Sequence, residues 1–156
     1  HVRNMHFREE LPEEGREKYL QRSESEWRDI LSGKMSGGRV GESMQFFAKA
    51  GREVVGMVSA IIPEGKPEKT ATIQHMYVNR IFRGYNIGKQ LLQGLIDSLK
   101  SRSDLKKIEL QVIATQTPAI ELYKSLGFVE VGRRTAALER DGQTLDEIEM
   151  EMNLRK

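Results

Sequence analysis

Between Val78 and Lys89 the chain reads Val-Asn-Arg-Ile-Phe-Arg-Gly-Tyr-Asn-Ile-Gly-Lys, a loop suited to holding a phosphate. It follows Ala71–Val78, rich in β-branched and aromatic residues, and precedes Ile87, Leu91, Leu92, Leu95, Ile96 and Leu99, which recur on one face of a helix. A strand, a short loop and a helix start aim several unpaired N–H groups and a positive helix end at one point. Arg83 and Lys89 add cations on either side of the loop.

The spacing narrows the chemistry. A nucleotide-hydrolysing loop needs four residues between Gly and Gly-Lys, then Ser or Thr for magnesium. Here three residues separate Gly84 from Gly88, and Gln90 follows Lys89. The dinucleotide fingerprint G-x-G-x-x-G also fails at its first glycine pair. Two readings of the loop remain: a metal-free pyrophosphate cradle, or a strand-to-helix turn whose glycines only permit positive φ.

A second segment, Leu110 to Phe128, reads strand, loop, helix, glycine stop and new strand. Thr117 is the expected N-cap and Pro118 the first helical residue, where its missing N–H costs nothing. Gly127 stands where a helix end wants left-handed φ.

Together these segments resemble the Gcn5-related N-acetyltransferase (GNAT) superfamily. The acyl-CoA signature of that family, Arg/Gln-x-x-Gly-x-Gly/Ala, is similar to Arg83-Gly84-Tyr85-Asn86-Ile87-Gly88. Asn86 replaces a glycine there, and Asn tolerates left-handed φ. The later pattern is carried by Leu110, Val112, Ala119, Leu122, Tyr123, Gly127 and Phe128, with Gln116 in place of the usual Asn. The resemblance covers residues 72–128.

The resemblance implies an α/β fold: a central, mixed, mostly antiparallel twisted sheet of about six to seven strands, flanked by about four helices. It also implies a splayed parallel strand pair at the acyl-CoA site, and a single domain over residues 1–156. Acetyl-CoA would be the cofactor and a small-molecule or peptide amine the acceptor. A regulatory acyl-CoA-binding module without turnover is the alternative. Main-chain groups of Met76, Tyr77 and Val78 would meet the pantetheine arm, and an amide there would hold the oxyanion. Arg83, Gly84, Tyr85, Asn86, Ile87, Gly88 and Lys89 would hold the pyrophosphate, with Gln116, Ala119 and Tyr123 completing the cofactor site. Tyr123 occupies the family position of the general acid, although its helical spacing also suits a core residue. No metal is implied.

The base has no sequence assignment. Relatives often carry Glu or His on the inward face of the strand before the cofactor loop. Alternation puts Thr72, Gln74, Met76 and Val78 on that face, and none is a competent base. His75 lies out of phase; Glu147, a water relayed by Gln74, and bulk water are the alternatives.

Composition sets outer limits. A length of 156 residues suits one domain. Without cysteine there is no disulfide, zinc–thiolate site or thiol nucleophile. A net charge of +2, from 25 basic and 23 acidic residues, gives no support for nucleic-acid binding. No apolar run approaches the roughly 20 residues of a membrane span. With no leader-like segment, a cytoplasmic protein is expected, and a homodimer is compatible.

The remaining elements follow from local patterns. A helix is expected around Arg3–Leu11, and another from the Ser23/Glu26 capping box, with a loop over Gly33–Gly41. Strands are expected over Met44–Ala50, Glu53–Ile62, 70–79 and Lys106–Ile113, and a helix over 87–102. A hairpin of Phe128–Ala137 and Thr144–Leu154 turns at Asp141-Gly142. In its second strand Ile148, Met150, Met152 and Leu154 alternate with Glu147, Glu149, Glu151 and Asn153, predicting one buried and one acidic face.

Overall fold

The computed structural model describes residues 2–7, 41–50, 52–63 and 69–154. Seven strands form one mixed sheet: β1 (Val2–Phe7), β2 (Gly41–Ala50), β3 (Glu53–Pro63), β4 (Lys69–Val78), β5 (Leu105–Ile113), β6 (Val129–Arg140) and β7 (Gln143–Asn153). Their spatial order is β1-β2-β3-β4-β5-β7-β6. The β1/β2 and β4/β5 pairs are parallel and the other four neighbours antiparallel. Two α-helices are present among the described residues, α1 (Ile87–Lys100) and α2 (Thr117–Ser125). The capping-box helix expected from Ser23 lies outside them. No helix among them is long and apolar enough to cross a membrane.

Parallel neighbours need a crossover, and α1 supplies it between β4 and β5. Its six predicted face residues, Ile87, Leu91, Leu92, Leu95, Ile96 and Leu99, are the six it buries. Burying each such side chain stabilises by about 1.5–3 kcal/mol. That outweighs the roughly 1 kcal/mol helix cost of Gly94. The helix comes close to β3 because Gly56 lacks a side chain. A Cβ there would stand 3.1 Å from Leu91 Cδ1, 3.3 Å from Ile87 Cγ2 and 3.2 Å from the Tyr77 carbonyl oxygen.

The hairpin ending the chain behaves as its turn residues dictate. Arg140 pairs with Gln143 across Asp141 (φ 52°) and Gly142 (φ 75°), the positive-φ pair of a tight two-residue turn. Ile148, Met150 and Met152 are buried on one face of β7, as the alternation predicts.

Three expectations are corrected. Residues Val2–Phe7 form a strand, not the start of a helix over Arg3–Leu11. They lie along β2, from Val2 opposite Gln45 to Phe7 opposite Ala50. That edge offers a full ladder of backbone bonds, whereas a helix so short is marginal in water. Gly41, expected in a loop, opens β2 and pairs with Pro63.

The third correction concerns β4. Ser59 pairs with Gln74 and Met57 with Tyr77, so two residues of β3 span three of β4. This bulge reverses the alternation. Thr72, Gln74, Met76 and Val78 therefore do not share a face. Met76 and Val78 turn toward Gly88 of α1, while Thr72 turns to the opposite face and meets Glu109.

Gly56→Val tests the α1–β3 approach. Overpacking there should cost about 1–3 kcal/mol. Thermal melting should fall by roughly 2–4 °C per kcal/mol for a chain of this size; an unchanged midpoint would show that α1 can move away freely.

Candidate active site

The site begins at Asn79, a buried polar residue (2% exposed) just past β4. Its N–H donates to the Val55 carbonyl at 2.7 Å, tying the loop to β3. Its Oδ1 accepts from the Ile81 N–H at 3.3 Å, and its carbonyl accepts from Phe82 N–H at 2.9 Å. These bonds wind Arg80–Phe82 into one 3₁₀ turn, whose Phe82 is fully buried. Sequence reasoning missed Asn79, although an Asn that folds back on the next residues is a known turn former.

The chain then crosses Gly84 (φ 90°) and Asn86 (φ 61°) to enter α1. A Cβ at Gly84 would touch nothing within 4 Å, so its backbone angle, not space, favours glycine. Asn86 is the N-cap, as its left-handed tolerance allows, yet its side chain makes no capping bond. No acidic residue occupies the first turn. Among the described residues the leading amides of α1 therefore have no side-chain cap. Gly88 lies against the strand: a Cβ there would stand 2.9 Å from Met76 Cε and 3.6 Å from Val78 Cγ2.

A cavity of about 700 Å³ opens over this helix end. Of the residues expected to hold the cofactor, Met76, Val78, Arg83, Gly84, Asn86, Ile87, Gly88, Lys89, Gln116 and Ala119 border it. Arg83 also braces the strand end, its Nε donating to the Val78 carbonyl at 3.1 Å. The side chains of Tyr77 and Tyr85 do not border it; they are 41% and 42% exposed. For Tyr77 the pairing with Met57 explains the difference, because the bulge turns its side chain from α1.

A second cavity of about 220 Å³ is lined by Ile73, Gln74 and Met76 of β4, by Leu110–Ile113 of β5, and by Gln116 and Tyr123. Met76 and Gln116 border both. Pairing between β4 and β5 runs from Lys69–Leu105 to Thr72–Glu109, whereas the strands continue to Val78 and Ile113.

Tyr123 is a buried residue, as its helical spacing allows, and also borders a cavity. It is 7% exposed and sets its ring edge-on to Phe128, with centroids 6.0 Å apart. Gly127 (φ 108°) closes α2, with Phe128 N–H bonded to the Tyr123 carbonyl and Gly127 N–H to that of Lys124, both 3.1 Å. That cap fixes the ring against Phe128 and leaves it on the wall of the smaller cavity. Among the described residues its hydroxyl has no hydrogen-bond partner, and burial raises its pKa. The start of α2 differs slightly from expectation. Gln116 is the N-cap and Thr117 the first helical residue, because the Gln116 carbonyl already accepts from Ile120 N–H at 3.1 Å.

Two further acidic residues are held by specific partners. Asp146 accepts Ala136 N–H and Arg133 Nε, each at 3.0 Å, while its carbonyl takes Ala114 N–H at 2.9 Å. It thus joins the β6–β7 hairpin to the corner before α2, and the Ala136 and Arg133 donors hold its carboxyl below the usual range. Glu109 accepts the Thr72 hydroxyl at 3.1 Å, a contact made only by the parallel register. Glu147 lies beside Ile113 on β7, 3.8 Å from Arg134 Nη1.

The sequence profile of the acetyltransferase (GNAT) family matches residues 4–128. The chain belongs to that family. An N-alpha-acetyltransferase of Sulfurisphaera tokodaii is 32% identical over 98 residues, covering 58% of this chain and 59% of the relative. An uncharacterized N-acetyltransferase of Dictyostelium discoideum is 37% identical over 62 residues, 40% of this chain and 28% of the relative. This GNAT chain thus spans well under two thirds of either relative. Among solved structures, the Escherichia coli ribosomal-protein-S18-alanine N-acetyltransferase is similar at TM-score 0.65 and 26% identity, covering 83% of this chain and 77% of that one. Arabidopsis thaliana NAA60 in complex with acetyl-CoA shares the fold at TM-score 0.66 and 22% identity, covering 85% and 84%.

Gly88→Glu should abolish acetyl-CoA binding in calorimetry, by putting bulk and negative charge against Met76 at the helix end. Binding that survives within a few-fold would locate the phosphate site elsewhere.

Proposed function

We infer that this chain, as one domain, is an N-acetyltransferase that moves an acetyl group from acetyl-CoA to a primary amine. The observation that carries this reading is the adjacency of two cavities: one lies over the uncapped start of α1, and the other, bordered like it by Met76 and Gln116, is lined by Tyr123. Few other ligands pair a diphosphate with a long arm ending in a reactive group. The names of the similar N-alpha- and ribosomal-protein-alanine acetyltransferases favour a peptide amine over a small molecule as acceptor.

Acetyl-CoA supplies an acyl carbon already activated as a thioester. The residues of this chain supply position and charge. The first amides of α1, with Lys89 and the free end of Arg83, bind the diphosphate through charge-assisted bonds. Beyond Thr72 the β4 backbone bulges away from regular pairing and the strands splay, giving main-chain groups of Met76, Tyr77 and Val78 to the pantetheine arm. An amide of this stretch holds the charge that develops on the thioester oxygen, worth roughly 10²–10³ in rate.

The amine attacks the acyl carbon, forming the carbon–nitrogen bond, and the carbon–sulfur bond breaks. Tyr123 gives its proton to the departing sulfur. The nitrogen releases its surplus proton to solvent, and solvent restores the phenol. A cavity-wall tyrosine whose hydroxyl has no partner among the described residues suits this task better than a purely structural one. It also favours turnover over a binding-only module.

The reading is tested by incubating the protein with acetyl-CoA and a panel of amines and peptides while measuring free thiol. Amine-dependent release supports it; tight binding without release on any amine would leave only the module. Tyr123→Phe should lower turnover on the order of 10²-fold, with acetyl-CoA affinity in calorimetry changed by less than a few-fold. Unchanged turnover would make Tyr123 a core residue alone. Because burial raises the Tyr123 pKa, the phenol keeps its proton beyond the ordinary value near 10. The wild-type rate on a deprotonated amine should therefore hold between about pH 8 and 10; a loss centred below 10 and absent from Tyr123→Phe would contradict this.

A further inference from the structure

We propose that Asp146 is a positioning residue: its carboxylate locks a strained bulge of β6, and its own carbonyl fixes the corner that carries Gln116 and Tyr123. The role rests on the acetyltransferase reading above.

The starting observation is backbone strain. Ala136 has φ 50°, a left-handed conformation in which a side chain's Cβ crowds the following carbonyl. Among the described residues the other non-glycine positions with positive φ are Asn86 and Asp141, whose types tolerate it. Alanine has no such tolerance. The register shows where the strain comes from: Arg134 pairs with Glu147 and Leu138 with Leu145, so Thr135, Ala136 and Ala137 stand opposite Asp146 alone. Such a bulge persists only where its surroundings over-determine it, and bulges and strained residues gather beside functional sites.

Asp146 supplies that constraint. Its Oδ1 accepts the Ala136 N–H and its Oδ2 accepts Arg133 Nε, each at 3.0 Å. The Arg133 side chain is 51% exposed, and an exposed ion pair holds little by itself. The bond to the Ala136 amide therefore carries the lock, because it acts on the strained residue directly.

The other side of Asp146 reaches the site. Its carbonyl accepts the Ala114 N–H at 2.9 Å, one rung past the Ile113–Glu147 pair of the β5–β7 ladder. From there the chain turns, and the Gln116 N–H closes onto the Ile113 carbonyl at 2.9 Å. Gln116 borders both cavities, and Tyr123 follows roughly two turns along α2, on the wall of the smaller one. A bulge that relaxes would shift this rung and the corner hung from it. A misplacement of about 1 Å at a reacting group can cost on the order of 10²-fold in rate. The diphosphate end is tethered separately, by the Asn79 N–H on the Val55 carbonyl, so loss of the lock should spare donor binding.

The test compares three variants on a peptide amine that the wild type accepts. Asp146→Ala should lower kcat about tenfold, with the peptide KM and the calorimetric acetyl-CoA affinity within about three-fold of wild type. Asp146→Asn, which keeps an acceptor oxygen for the Ala136 N–H, should stay within about three-fold in kcat. Asp146→Ala combined with Ala136→Gly is decisive. Glycine takes left-handed φ without strain, so the bulge should persist without the carboxylate and kcat should return to within about three-fold. Amide hydrogen exchange reads the same coupling without turnover: exchange at Ala114 and Gln116 should quicken about tenfold in Asp146→Ala and recover in the double variant. Wild-type kcat in a folded Asp146→Ala, or a loss that glycine does not restore, would overturn the proposal. If Asp146→Ala alone does not fold, the double variant decides: near-wild-type kcat supports the lock, and a loss of about tenfold or more overturns it. A wild type that binds acetyl-CoA and releases no thiol with any amine would overturn the acetyltransferase reading instead, and the exchange rates would still decide whether Asp146 holds the corner.

Discussion

A buried backbone donor or acceptor left without a partner costs about 1–3 kcal/mol. The first turn of α1 lacks a side-chain cap, and β4 and β5 extend beyond the Thr72–Glu109 pair. A ligand with a diphosphate at one end and amides along its arm would satisfy both sets at once. Its binding energy then comes mainly from parts far from the reacting carbon, where it can serve the transition state.

Groups left open in this way keep their geometry only if the surrounding frame is rigid. Asn79 tethers the loop to β3, Phe82 anchors it in the core, and Gly56 lets α1 settle close to the sheet. The capped end of α2 does the same for Tyr123, whose ring sits against Phe128 on the wall of the smaller cavity. Asp146 links the last hairpin to the corner before α2. Each contact sits one layer behind the chemistry, where small displacements are most damaging.

Tyr123 approaches the smaller cavity from the helical layer, with burial favouring its neutral form.

Local rules made much of this legible without coordinates. The 3.6-residue period identified every buried face residue of α1, Asp141-Gly142 fixed its turn, and the alternation along β7 separated core from surface. The turn from β4 into α1 was legible too, since glycine, asparagine and a helix start act within ten residues of one another. Tertiary structure decided what depends on distant partners. β1 is a strand because β2 has an edge to fill, and the β4 bulge is visible only against β3. The Thr72–Glu109 contact joins residues 37 apart in sequence. Periodicity reports which face a residue takes within its own element; register between elements is set by pairing, so the buried face of α1 could be named from the chain and the partner of Thr72 could not.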